Sequence, residues 1–384
     1  MSFSRFAYTK HRGVQLHSGL ILVLAVTEDG KTLATGGSQG TRLFDTKTMK
    51  ELKRPAGAGT RGHTSSLHWA RQTDEPHDVL YFGTQSGTWA CWRRGDDGFE
   101  ETFSKQITTS GEITGLSFDP SKNILCICSR SDIVQAWKIL KNSVNGKWSA
   151  SSIFSNEIAG LAPRAITFAG FDSSGDRDIV AFGSGHNGPV ATLSGSTGKW
   201  KGDWMAGGYI SSADVDWKEG VLCLNDPYFG PGLFRLADEA KARSFEVPTE
   251  TEGEPYTTDA CFGEKGRLIV AGSDHGIVYV FDARSGETIQ KLDTKKSKWV
   301  KAVTTAEIGG VPTIFAAHTY RDEGYQDIFV WKRAQSSLIG WYQVEIFLKT
   351  LVVLGCVAFI YQNLVSAGMI QKIVFKLPRA IYGK

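Results

Sequence analysis

Gly266-Arg267-Leu268-Ile269-Val270-Ala271-Gly272-Ser273-Asp274-His275-Gly276-Ile277-Val278-Tyr279-Val280-Phe281-Asp282, followed by Ala283-Arg284-Ser285-Gly286-Glu287, is the stretch whose reading decides the fold. Two β-rich runs, Leu268 to Ala271 and Ile277 to Phe281, flank Ser273-Asp274-His275-Gly276. That interval has turn chemistry: Asp can bond its own backbone, and Gly supplies positive φ. A second turn follows at Ala283 to Gly286.

Imperfect copies of this unit recur along the chain. The residues ending the second run of each copy are Phe44, Trp92, Trp137, Leu193, Phe234, Phe281 and Trp331, at spacings of 48, 45, 56, 41, 47 and 50. A period of tens of residues is the mark of a repeat architecture. The first unit pairs Thr32 to Thr35 with Thr41 to Phe44 across Gly36-Gly37-Ser38-Gln39-Gly40. In the second, Val79 to Gly83 meets Trp89 to Trp92, and in the third, Ile124 to Cys128 meets Ile133 to Trp137. The fourth joins Ile179 to Gly183 with Val190 to Leu193, and the fifth Val221 to Leu224 with Leu233 to Leu236. The seventh joins Thr313 to Ala317 with Ile328 to Trp331 across the long polar interval His318 to Asp327.

These units resemble WD40 repeats, and their number resembles that of a seven-bladed β-propeller, over residues 5–333. The chain is also similar in style to divergent fungal WD40 proteins with a C-terminal hydrophobic segment. It departs from the WD40 consensus: no Trp-Asp dipeptide ends a repeat, Gly-His occurs at Gly62-His63 and Gly185-His186 alone, and the Trp–Ser–His–Asp set is complete in no unit. The resemblance implies an all-β propeller over residues 1–335. Each four-stranded sheet buries both faces against its neighbours, and the strand-like Phe6 to Leu16 supplies the outer strand of the seventh blade.

Composition agrees with many short strands and turns. Gly numbers 43 and aromatics reach 11%, while charged residues, at 22%, are ordinary for a globular protein. Residues 338–384 carry five basic residues against Glu345, a net +4, which leaves −1 of the total +3 for the rest. A near-neutral body argues against nucleic acid as a partner. The cysteines at 91, 126, 128, 223, 261 and 356 include no CxxC, so buried free thiols are expected rather than a metal site. Met1 to Lys10 has no apolar core, so no signal peptide is expected.

The last part of the chain does not repeat. Thr350 to Gln371 runs 22 residues without a charge, between Lys349 and Lys372. As a helix it would measure about 33 Å, enough for a hydrocarbon core of about 30 Å. A transmembrane helix is therefore expected over 350–371, preceded by a juxtamembrane helix or linker over 336–349 and followed by a short basic tail, 372–384. Gln362 and Asn363 interrupt it, and polar groups at depth are costly. The arrangement looks like a tail anchor with the propeller facing the cytosol, at the endoplasmic reticulum or the mitochondrial outer membrane.

No motif assembles catalytic chemistry. Gly183-Ser184-Gly185-His186-Asn187-Gly188 fits G-x-G-x-x-G, but a strand follows where a dinucleotide site needs a helix N-terminus. Gly36-Gly37-Ser38-Gln39-Gly40 fits a nucleophile elbow, yet it joins strand to strand. No H-x-x-x-H or carboxylate pair stands out, so neither metal nor cofactor is expected, nor enzymatic activity. The expected role is a non-catalytic protein-interaction scaffold on a membrane surface. The alternatives are an exchange factor for a small GTPase in vesicle coat assembly, or a soluble adaptor whose C-terminal helix binds a partner. The candidate partner-binding residues lie in the three unusual turns: His186 and Asn187; Asn225, Asp226, Tyr228 and Phe229; and His318, Tyr320, Arg321, Asp322 and Tyr325. Aromatics and Arg are the residue types that anchor interfaces.

Overall fold

A computed structural model describes residues 7–17, 19–55, 61–72, 76–107, 111–171, 175–185, 187–254, 256–295, 298–319, 326–334 and 338–366. The chain divides into two compact units, residues 1–334 and 335–384. The first is a seven-bladed β-propeller of antiparallel sheets.

The inner strands, in order, are Ile21–Val26, Thr64–Ala70, Ile113–Asp119, Pro163–Phe171, Ser212–Asp216, Ala260–Gly263 and Val300–Ile308. Each packs on the next, and the seventh packs back on the first, which closes the ring. Blades two to six run outward in simple chain order through four strands. Blade one has three strands and a single bridge, Phe44 to Glu51, where a fourth would lie. The seven landmark residues all sit in the third strand from the axis, from Gly40–Asp45 in blade one to Gln326–Arg333 in blade seven.

The core explains why these strands read as continuous apolar runs rather than alternating ones. It consists of seven clusters, one in each cleft between neighbouring blades. In blade six, Leu268, Val270, Val278 and Val280 face blade seven, while Ile269, Ala271, Tyr279 and Phe281 face blade five. Successive residues of a strand point to opposite faces, and here both faces are covered. Leu268 to Ala271 and Ile277 to Phe281 are thus apolar at every position because each blade is a wall shared by two clefts. Gly272 sits where that packing is closest: a Cβ there would lie 2.2 Å from the Val300 carbonyl oxygen. The buried cysteines behave as small apolar groups, with burial pushing the Cys91 and Cys128 thiols up to about 12.

Side chains of the inner strands also cross from blade to blade. Ser65 Oγ donates to the Ile113 carbonyl at 2.7 Å, Thr114 Oγ1 to Pro163 at 2.7 Å, and Thr305 Oγ1 to Phe262 at 2.7 Å. Asp214 Oδ2 accepts the Phe262 amide at 2.8 Å, and the Thr319 hydroxyl donates to the Ile21 carbonyl across the closure.

Blade seven is assembled from both ends of the propeller sequence. Tyr8–His17 pairs antiparallel with Gln326–Arg333 as its outer strand, with two bulges. Tyr8 is buried and reaches into blade six. Its hydroxyl donates to Glu264 Oε1 at 2.7 Å, its amide to Gln290 Oε1 at 2.7 Å, and Gln290 Nε2 donates back to its carbonyl at 2.8 Å. Arg333 joins from the paired strand, 2.7 Å from the other Glu264 oxygen. Burial, and the Glu264 carboxylate beside it, push the Tyr8 phenol well above its ordinary value.

The second unit contains the α-helix Leu338–Ser366. Its stretch Ile346–Ser366, 21 residues with a mean hydropathy of 1.7, is long and apolar enough to cross a membrane. The helix is continuous through Lys349, so the apolar stretch begins earlier than 350; residues 367–371 of the expected span lie outside the described residues. Apolar residues occur all round it, which is the pattern of a lipid-facing or fully buried helix rather than an amphipathic one. The polar groups are partly met inside the helix. Asn363 Nδ2 donates to the Phe359 carbonyl at 2.9 Å, and the Thr350 and Ser366 hydroxyls donate to the carbonyls four residues back, each at 2.8 Å. Such back-bonding reduces the cost of a polar side chain in hydrocarbon.

Deleting residues 1–17 would strip the outer strand from blade seven and remove the Tyr8 contacts. A fall in melting temperature of at least about 10 °C is expected, since each kcal/mol lost moves a domain of this size by about 2 °C. An unchanged melting curve would contradict the role of this strand in closing the ring.

Candidate functional site

Strand direction alternates within a blade. The turns between second and third strands therefore open on the same face as the connections that lead from one blade to the next. Backbone bonds tie the two sets together: Gln85 N to His63 O at 3.0 Å, Arg130 N to Glu112 O at 2.9 Å, Ser184 N to Ala162 O at 3.0 Å, and Thr319 N to Trp299 O at 2.9 Å.

Three turn aspartates do the same with their carboxylates. Asp132 accepts the Gly160 and Ala162 amides at 2.9 and 2.6 Å, and Asp274 accepts Glu250 and Thr251 at 3.0 and 2.8 Å. Asp226, one of the candidate residues, accepts Tyr209 at 3.0 Å through one oxygen and Tyr228 at 2.8 Å through the other. In blade six the turn is further fixed by His275, whose Nδ1 lies 2.8 Å from Asp274 Oδ1 and whose Nε2 lies 3.0 Å from the Tyr279 hydroxyl. That histidine is occupied in holding its own turn.

Blades four and five present the face's exposed aromatic cluster. The connection Gly207-Gly208-Tyr209-Ile210 bridges their two turns. Its Gly207 amide donates to the Asn187 carbonyl at 3.0 Å, and Gly208 passes so close to Asp226 that a Cβ there would stand 2.3 Å from Oδ2. Asn187 is exposed and left-handed, with φ 65°. Tyr209 is 48% exposed, Tyr228 43% and Phe229 73%. The Tyr209 and Tyr228 ring centroids are 5.3 Å apart, and those of Tyr228 and Phe229 are 6.4 Å apart. Exposed aromatics held by a capped backbone have little conformational freedom left to lose on binding.

Two candidate residues lie beneath this face rather than on it. Asn225 is 1% exposed; its Nδ2 donates to the Thr258 carbonyl at 2.8 Å and lies 3.0 Å from Thr258 Oγ1 and 3.1 Å from Ser211 Oγ. It clamps blade five to the connection entering blade six. His318 is also 1% exposed, with Nε2 2.8 Å from Thr294 Oγ1 and its ring edge-on to Phe329 at 4.8 Å. Asn225 is next to last and His318 last in the second strand of its blade, and both side chains are buried, so neither meets a partner without local opening. His186, Tyr320, Arg321, Asp322 and Tyr325 lie outside the described residues.

Tyr209 was not among the candidates. Its signal is Gly207-Gly208 before an aromatic residue in a connection between blades. Connections share the face with the turns, so aromatic residues there count equally.

The opposite face holds a cavity of about 600 Å3 lined by Tyr8, Asp214, Trp217, Phe262, Glu264 and Glu307 among others. Two of its carboxylates are engaged within the fold: Glu264 with Tyr8 and Arg333, and Asp214 with the Phe262 amide.

No protein-family model matches the chain, and no curated protein matches it either. The propeller is consistent with a WD40-type fold on its architecture alone.

Replacing Asn225 with Ala would leave the Thr258 hydroxyl without this donor and open the clamp, at a cost of about 2–3 kcal/mol. Replacing exposed Phe229 with Ser is expected to change stability by no more than about 0.5 kcal/mol. Urea unfolding of the two variants beside the parent distinguishes the buried clamp from the exposed surface.

Proposed function

We propose that this chain is a non-catalytic protein-interaction scaffold of WD40 type, held on a membrane by its C-terminal helix with the propeller in the cytosol. The observation that carries the reading is the Tyr209–Tyr228–Phe229 cluster, three exposed aromatic side chains on one face, with the backbone of Tyr209 and Tyr228 held by Asp226. Large aromatic groups supply most of the energy at interface centres. A propeller suits this role, because its closed ring fixes the loops of one face relative to one another. The stretch Ile346–Ser366 supports the anchoring half of the reading: 21 residues at 1.5 Å rise span about 32 Å, close to the thickness of a hydrocarbon core.

Proximity labelling from the full chain tests the docking half. A Tyr228→Ser/Phe229→Ser variant is expected to lose a defined subset of labelled proteins while keeping its melting temperature; an unchanged set would refute the assignment to this cluster. Carbonate extraction tests the anchor: the full chain is expected in the membrane pellet, and release into the supernatant would refute it.

A further inference from the structure

Arg164 is the second residue of the inner strand of blade four, just inside the face described above. Burial, and after it the like charge of Arg130, holds its guanidinium below its ordinary value, whereas Glu112 and Asp259 act in the opposite sense. Glu112 and Arg130 belong to the neighbouring blade three. Asp259 stands at the start of blade six, with blade five between. Arg164 therefore stands at the face end of the innermost strand of its blade, beside the axial channel, within electrostatic reach of groups from blades three and six.

The other charges there are already matched. Lys301 Nζ lies 2.6 Å from Asp259 Oδ1, and Arg130 Nε lies 3.4 Å from Glu112 Oε2. Among the described residues Arg164 has no hydrogen bond and no ion pair, and its Nε is buried. A buried donor without an acceptor is destabilising, and more so when charged. Ser65 and Thr114, in neighbouring inner strands, each find an acceptor in the next blade; Arg164 does not. Among the described residues, these three cations and two carboxylates leave one positive charge. One carboxylate balances it, whereas a dianionic phosphate would overshoot. The guanidinium fork also matches a carboxylate in two-point geometry.

We propose that Arg164 receives the carboxylate of a Glu or Asp side chain, carried by an acidic peptide segment that enters the channel mouth from this face. The inference rests on reading the face as a docking surface for polypeptide, and it gives the partner a chemistry.

The test uses the full chain in detergent micelles and a set of fluorescent peptides, identical except for a central Glu, Gln, phosphoserine or Lys. Anisotropy is expected to show the Glu peptide bound about tenfold more tightly than the Gln peptide, a difference of about 1.4 kcal/mol. Arg164→Met should abolish that preference and, by removing a part-buried guanidinium whose Nε has no partner, raise the melting temperature. The rise separates loss of recognition from loss of folding. Equal binding of the Glu and Gln peptides, a preference for phosphoserine, or discrimination that survives in Arg164→Met would each overturn the proposal, as would the absence of binding by any peptide. If all peptides bind alike and that binding falls in the Tyr228→Ser/Phe229→Ser variant, the face docks polypeptide without help from Arg164. The scaffold reading then stands and this inference does not.

Discussion

A blade of this propeller cannot exist alone, because both of its faces are apolar. Leu268 and Val270 need blade seven, and Ile269 and Ala271 need blade five. The same holds round the ring, so burial is complete only when the last cleft closes. That cleft and its neighbour are secured by residues far apart in sequence. Tyr8–His17 lies along Gln326–Arg333, and Tyr8, Glu264 and Arg333 form one hydrogen-bonded set joining the N-terminal strand to blades six and seven. Closure also covers the apolar faces that the first and last blades of an open array would present.

The inner strands add a polar ring to this apolar one. Hydroxyls and a carboxylate on one blade bond backbone groups of the next. These bonds fix the blades' heights along the axis, which apolar contacts alone leave loose. The turns and connections of one face are held in turn by aspartates that accept backbone amides. The exposed aromatic cluster thus stands on a rigid base, and the guanidinium of Arg164, whose buried Nε has no partner, contrasts with the inner-strand hydroxyls of Ser65 and Thr114 that bond the next blade. The helix follows a different rule: without a polar stripe, its backbone and several polar side chains are satisfied internally.

Much of the fold was legible in the chain. Paired apolar runs around Gly- and Ser-rich turns gave seven units, because a strand buried on both faces must be apolar at consecutive positions and a tight reversal must contain residues that tolerate it. The apolar C-terminal stretch was equally plain, although its helix begins ahead of Lys349, since one charged side chain does not end a helix. The face was less legible. Asn225 and His318 looked like turn residues because they border turns, yet each lies within the end of a strand and is buried. Tyr209 was hidden in a connection between units, where spacing alone gives no hint that it meets Tyr228.

Sequence by itself determined the number of blades, their strand pairing and the separate apolar helix, all of which follow from local periodicity and turn chemistry. Tertiary structure alone decided which polar residues are clamps and which are surface, that Asn187, Tyr209 and Tyr228 share one patch, and that Arg164 lies in the field of a carboxylate two blades away without pairing with it. The physical reason is that these depend on where side chains from distant strands converge once the ring has closed, and no local pattern records that distance.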